Sequence, residues 1–177
     1  AQSGSDAVLR RMKRGYAAAE YRDMVDRARE RIPGVELASD FMVGFPGETD
    51  ADFQDTLDLL REVRFQQSFV FKYSVRPGTK AAEFPDDVPK DVKMERNRLL
   101  LKAQEEVDSG RRAAMVGWEV EVLADGPSKA DAAKLSGRTR QNDIVVFRGT
   151  DELAGRLCRV RIVDSTPLTL FGELVDC

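Results

Sequence analysis

The sequence predicts an α/β unit over residues 1–112 followed by a small all-β antiparallel barrel over residues 113–177. Three observations carry this expectation. Residues 36–49, ELASDFMVGFPGET, read as a buried strand that runs into a glycine–proline–glycine corner and a helix start. Leu37, Phe41, Met42 and Val43 form a near-continuous apolar run, the pattern of a parallel strand covered on both faces. Residues 65–79 repeat the strand-then-corner pattern after an intervening helical stretch, which makes a βαβ unit with a right-handed crossover. Beyond Ala114 the texture changes to short β-type runs separated by glycines, as in small barrels.

Each element has a local reason. Ser3 or Ser5 can cap a first helix whose apolar face is Val8, Leu9 and Met12, with Gly15 as its stop. A second helix over residues 18–32 places Tyr21, Val25 and Ala28 inward and ends at Pro33-Gly34. In the corner, Gly44 and Gly47 allow backbone angles that a Cβ forbids, and Pro46 stiffens the turn. Thr49 caps a helix from Asp50 to about Val63, with Asp52 placed for a weak capping box and Phe53, Leu57 and Leu60 on the core face. The next strand, residues 65–74, alternates Phe65, Phe69, Phe71 and Tyr73 with polar or small residues. Residues 80–90 are loop-like. A long charged helix over residues 90–112 has few apolar residues and reads as a lid or a bridge rather than a buried element. Trp118, in an alternating strand, is expected in the barrel core.

Composition narrows the chemistry. The 177 residues contain no histidine, which removes imidazole acid–base catalysis, Ser-His and Cys-His pairs, and zinc sites that need imidazole. Cys158 and Cys177 form no ligand cluster and are expected to stay reduced in a cytoplasmic protein. No apolar run is long enough to span a membrane, and no leader peptide is visible at the N-terminus. Net charge is −3, and acidic and basic residues after Arg111 roughly balance, so no strong basic footprint marks a nucleic-acid face. Two strands with flanking helices leave open edges. Residues 1–112 are therefore expected to pair with a second copy or to be the rear of a larger α/β barrel. The abrupt start at AQSGSD favours the larger barrel.

Four motifs then occur in one order: QSGSDAVLRRMKRGY at 2–16, SDFMVGFPGETDADF at 39–53, FVFKYSVRPGT at 69–79 and GRTRQNDIVVF at 137–147. Together they make the chain resemble the MiaB-type tRNA methylthiotransferases, which are radical S-adenosylmethionine (SAM) enzymes. The resemblance implies the C-terminal part of a partial (β/α) radical-SAM barrel followed by an OB-like TRAM domain. It further implies a cytoplasmic enzyme that adds a methylthio group to C2 of N6-isopentenyladenosine at tRNA position 37. QSGS together with GRTxxN favours that branch, with threonylcarbamoyladenosine as the nearest rival substrate and a non-catalytic RNA-binding protein as the alternative of another class. The implied cofactors are SAM and two 4Fe-4S clusters in the intact parent. The implied partners are the tRNA anticodon arm, an electron donor and a sulfur source. Neither of the family's cysteine sets occurs in this chain, so it is expected to hold no metal and no catalytic residue and to be inactive alone. Its open edge implies self-association.

The same resemblance implies site residues. Gln2, Ser3 and Ser5 would border the ribose and methionine portion of SAM, and Arg14 would grip its carboxylate in a two-bond fork. Val43, Gly44, Phe45 and Pro46 would face adenine, with Glu48 binding a hydroxyl or finishing the helix start and Tyr73 closing the other side. Arg76 would touch substrate or phosphate. In the barrel, Arg138, Thr139, Arg140 and Asn142, with Phe147 just beyond, would grip phosphates and unpaired bases of RNA. The isolated chain is expected to take up no iron–sulfur cluster on anaerobic reconstitution; stoichiometric iron and sulfide with a brown chromophore would contradict this.

Overall fold

Parallel pairing of β1 (Ala38–Val43) with β2 (Gln67–Lys72), in register from Ala38↔Gln67 to Val43↔Lys72, organises the first half of the computed structural model, which describes residues 1–177. Helix α3 (Asp50–Val63) connects the two strands. Helices α1 (Asp6–Arg11) and α2 (Ala18–Arg31) precede them, and α4 (Lys90–Ala113) follows. The chain divides into two units, Ala1–Val107 and Asp108–Cys177.

The local signals set the helix ends. The Ser5 hydroxyl accepts the Val8 N–H and starts α1, which ends at Arg11, earlier than Gly15. Lys13 takes the left-handed turn instead. Thr49 and Asp52 form the full capping box of α3, and Arg64 closes that helix in the left-handed conformation.

One side of the two-stranded sheet is closed. Phe41 and Val43 pack there with Phe53, Leu59, Leu60 and Phe65, and the Phe41 and Phe65 rings meet edge-on at 5.5 Å. Leu100 and Ala103 of α4 are fully buried in the same cluster, so this part of α4 is a core element and not a lid. The other side of the sheet is open. Asp40 and Met42 pair with Phe69 and Phe71, which are 49% and 53% exposed. The expectation of cover on both faces is therefore corrected: on this side Met42 packs against the small cluster of Val8, Phe45 and Tyr73, while Phe69 and Phe71 stay exposed. Residues 1 and 2 run along the free edge of β1, where Met42 N–H donates to the Gln2 carbonyl at 2.9 Å.

The second unit is a closed barrel of β3 (Glu119–Pro127), β4 (Leu135–Thr139), β5 (Ile144–Phe147), β7 (Leu170–Asp176) and β6 (Leu157–Ser165), in that spatial order. Four pairings are antiparallel; β5 and β7 pair in parallel, which departs from the antiparallel expectation. Val122, Leu135, Val145, Val160, Ile162 and Leu170 fill the interior. Gly137 lets β4 approach β3, since a Cβ there would overlap the Leu123 carbonyl.

Three expectations change here. Phe147 is 1% exposed and belongs to the barrel core, because it shares the inward parity of Val145; it cannot stack on a base. Trp118 is 60% exposed: it shares the parity of Val120 and Val122 but lies before β3 begins, past the end of the core. Cys158 and Cys177 are bonded to each other, because β6 and β7 pair Arg159 with Asp176 and so bring the two cysteines side by side. Phe147→Ala is expected to destabilise this unit by about 3–5 kcal/mol, and Phe147→Leu, which keeps most of the volume, by much less. Denaturant unfolding followed by the fluorescence of Trp118, the sole tryptophan, measures both.

Candidate functional site

The corner after β1 is held from three directions. Glu48, whose side chain is fully buried, turns back on the strand end, and its Oε2 accepts the Gly44 N–H at 2.6 Å. The same oxygen accepts Arg96 Nη1 at 2.8 Å, and that nitrogen also donates to the Glu48 carbonyl at 3.1 Å. Arg96 Nη2 reaches Asp50 at 2.7 Å, so one α4 guanidinium binds both the corner and the first residue of α3. Bidentate geometry of this kind is the property that separates arginine from lysine. Gly44 has φ +71°, and the stem of Lys93 lies where its Cβ would be. Lys93 pairs with Asp86, and its ammonium sits 5.1 Å from the Tyr73 ring centroid. Gly47 has φ +74°, its N–H donates to Asp87 at 2.7 Å, and the Arg11 guanidinium lies against it. Arg11 Nη1 donates to the Pro46 and Gly47 carbonyls at 3.3 and 2.5 Å.

The QSGS loop is stitched to α3. The Ser3 and Thr56 hydroxyls lie 3.0 Å apart, Gly4 N–H donates to Thr56 Oγ1 at 2.9 Å, and Ser5 Oγ donates to Asp52 at 2.5 Å. Gly4 is required, because a Cβ would overlap the Asp55 carbonyl. Burial alone would raise the Asp52 carboxyl, but bonds from the Ser5 hydroxyl and from the Thr49 N–H and hydroxyl hold it below its ordinary value. Glu48 behaves oppositely. Burial pushes it above the ordinary carboxylate range, against the pull of the Gly44 N–H and Arg96. Its Oε1 is buried without a hydrogen-bond partner, consistent with that direction.

Beside the corner lies a cavity of about 250 Å³ whose walls include Gln2, Arg14, Met42, Phe45, Thr79 and Lys80. Of the residues expected at the cofactor, the structure brings Gln2, Arg14 and Phe45 together here. Ser3, Ser5, Val43, Gly44, Pro46 and Glu48 form the buried support behind them. Tyr73 is buried too: its ring meets Phe45 edge-on at 5.1 Å and its hydroxyl donates to the Ala81 carbonyl at 2.9 Å. An exposed guanidinium at the rim of an apolar wall suits a ligand with a carboxylate at one end and an apolar or aromatic part at the other. Sequence reasoning missed Arg11, Arg96 and Asp87. Arg96 and Asp87 lie far from the corner in the chain, and on an otherwise charged helix Arg96 looks like any solvated residue.

Arg76, in the turn before Pro77-Gly78, is exposed. In the barrel unit, Arg138 and Arg140 are exposed but engaged: Arg138 donates to Asn142 Oδ1 at 2.9 Å, and Arg140 donates to Glu121 at 3.0 Å. Asn142 takes the left-handed turn. Thr139 is buried and its hydroxyl accepts the Asp143 N–H at 3.1 Å. The buried Asp143 carboxylate in turn receives the Arg111 fork and lies 3.4 Å from Arg112 Nε. Asp143 is the anchor of this loop that the sequence did not disclose.

Comparison with known proteins bears on both units. Residues 1–60 match the radical SAM superfamily and residues 113–175 match the TRAM domain, one match in each unit. More particularly, the chain is similar along nearly its whole length to the tRNA-2-methylthio-N(6)-dimethylallyladenosine synthases of three bacteria. The Moorella thermoacetica protein is 47% identical over 175 residues, covering 99% of this chain and 39% of that protein. The Alkalilimnicola ehrlichii protein is 49% identical, covering 98% and 39%. The Vibrio cholerae protein is 46% identical, covering 98% and 37%. The chain thus spans well under half the length of these relatives, and the resemblance read from its four motifs holds.

Arg96→Met leaves the Glu48 carboxylate buried and uncompensated, and is expected to cost the first unit about 3–5 kcal/mol near neutral pH. The pH dependence has a defined sign. Because folded Glu48 binds its proton more tightly than unfolded Glu48, its contribution falls as pH rises through the window just above the ordinary carboxylate range. Glu48→Gln should remove that slope and Arg96→Met should steepen it. Urea unfolding followed by helical circular dichroism across that window tests both.

Proposed function

We propose that this chain is a working part of a tRNA-modifying radical SAM methylthiotransferase, which adds a methylthio group to C2 of N6-isopentenyladenosine at position 37. The observation that carries the reading is the locked GFPGE corner beside a cavity that gathers Gln2, Arg14 and Phe45, on a chain that also bears a TRAM barrel. In this reading residues 1–112 are the rear of the SAM barrel and residues 113–177 the RNA-binding domain. The open sheet face with Phe69 and Phe71 then looks into the barrel.

The residues fit SAM in part. Arg14 would hold the amino-acid carboxylate, Gln2 would offer its amide to hydroxyls, and Met42 and Phe45 would form an apolar wall for the base. SAM when bound supplies the radical chemistry; the chain's own contribution is to position and shield it. Glu48, Arg96 and Arg11 act as positioning residues by fixing the corner's backbone. The iron–sulfur clusters of such an enzyme do not fit these residues, since the two cysteines are bonded to each other and no other ligand group is present. The electron donor and the sulfur source are likewise matters for the rest of the enzyme. Arg76, Arg138, Arg140 and Asn142 lie at the surface, where they can meet the anticodon arm. No helix is long and apolar enough to cross a membrane, and a role in modifying tRNA supports a cytoplasmic enzyme.

In cells lacking the full-length gene, mass spectrometry of tRNA nucleosides should show loss of the methylthio form and accumulation of N6-isopentenyladenosine. Loss of a methylthio group from threonylcarbamoyladenosine instead would overturn the substrate assignment; an unchanged nucleoside profile would overturn the function.

A further inference from the structure

Strand register in the barrel builds a feature that the 138–142 loop does not account for. Ser136 pairs with Val146 and Val146 with Phe171, so these three side chains form one row across β4, β5 and β7. Arg138 and Ile144 form the next row. All five point away from the core, because the residues that alternate with them (Leu135, Gly137, Val145, Leu170) are buried. At the usual strand spacing the first row is about 10 Å wide, close to the width of a nucleobase. The hairpin between β3 and β4 borders this face, closed on itself by Ser128 N–H to the Lys134 carbonyl at 2.8 Å. Together they enclose a cavity of about 580 Å³ in which Phe171, Ile144 and Val146 are only half-buried.

The charge around it is uneven in a useful way. Lys129, Lys134 and Arg138 line the cavity against the carboxylates of Asp125 and Asp131. Lys134 is paired with Asp131 at 3.1 Å and Arg138 lies 3.9 Å from Asp125, whereas Lys129 has no carboxylate partner. An apolar floor containing one aromatic ring, rimmed by cations, matches the two halves of a nucleotide. The base stacks on the ring, and the phosphate meets the cations at the edge. A duplex keeps its base faces stacked inside and cannot use such a floor.

We propose that this cavity is the single-stranded-RNA subsite of the barrel: one unpaired nucleotide stacks on Phe171, and its flanking phosphate is held by Lys129 and Lys134. The proposal rests on the reading of the chain as a tRNA-binding part, and adds that recognition is of an unstacked loop nucleotide. It moves the point of base contact from Phe147, buried at the end of β5, to Phe171.

The test uses the full chain and a short fluorescein-labelled RNA, offered single-stranded and as a blunt duplex, with binding read by fluorescence anisotropy over a salt series. The single strand should bind more tightly than the duplex. Phe171→Ala should weaken single-strand binding by about tenfold, with Phe171→Trp restoring it. Lys129→Gln should reduce the salt slope by about one unit. Arg161→Gln, which removes a cation on β6 outside the cavity, should leave binding within about twofold if the effect is local. Circular dichroism establishes that Phe171→Ala is folded, and the Phe171→Trp arm stands if it is not. Equal binding of single strand and duplex, indifference to both Phe171 variants, or no RNA binding at all would each overturn the subsite. None of these would by itself reverse the proposed methylthiotransferase activity, which the nucleoside profile judges separately.

Discussion

A buried guanidinium–carboxylate pair sits at the centre of the first unit, and most of the site depends on it. Glu48 accepts the amide of Gly44 while Arg96 holds the Glu48 carboxylate, its carbonyl and Asp50, so the chain cannot relax out of the corner without exposing several polar groups at once. Burying such a pair costs desolvation on both partners, and only dense hydrogen bonding offsets it. What the arrangement gains is a defined backbone. Gly44 and Gly47 are held in left-handed conformations, with Lys93 and Arg11 packed where Cβ atoms would sit. Binding surfaces made of backbone need this kind of support, because main-chain groups are positioned only as well as the segment that carries them.

The barrel unit follows the same logic with different residues. Asp143 is buried beneath the loop that carries Arg138 and Arg140, and Arg111 and Arg112 neutralise it. The exposed arginines of that loop are therefore carried on a fixed turn. They are also partly occupied, by Asn142 and Glu121, which restricts them to weak, screened contacts. The outer rows of β4, β5 and β7 differ in offering an aromatic ring, Phe171, beside cations, which is why the proposed subsite is placed there.

Legibility in the sequence tracked how local the cause was. The bounds of α3, its capping box and the two positive-φ glycines follow from residues within one turn of each other, and the structure shows them in place. The alternation that put Phe69 and Phe71 on one face was correct as periodicity, but periodicity does not say which face finds a partner. Phe147 beside a polar loop looked available to a base, yet register turned it inward; Trp118 looked interior, yet it lies beyond the last layer of the core. The cysteines, separated by 19 positions, met because β6 and β7 fold back on one another.

By itself the sequence determined the order of elements, the corner's backbone demands, the change from α/β to all-β texture and, through four long motifs, the family resemblance. These rest on neighbours in the chain, whose sterics and capping are readable without coordinates. Only the tertiary structure decided that Arg96 rather than solvent holds Glu48, that Gln2, Arg14 and Phe45 share one cavity while Ser3 and Ser5 support it, and that Phe171 rather than Phe147 faces outward. Each of those outcomes depends on strand register or helix packing between distant segments, where a shift of one residue reverses which side chain is buried.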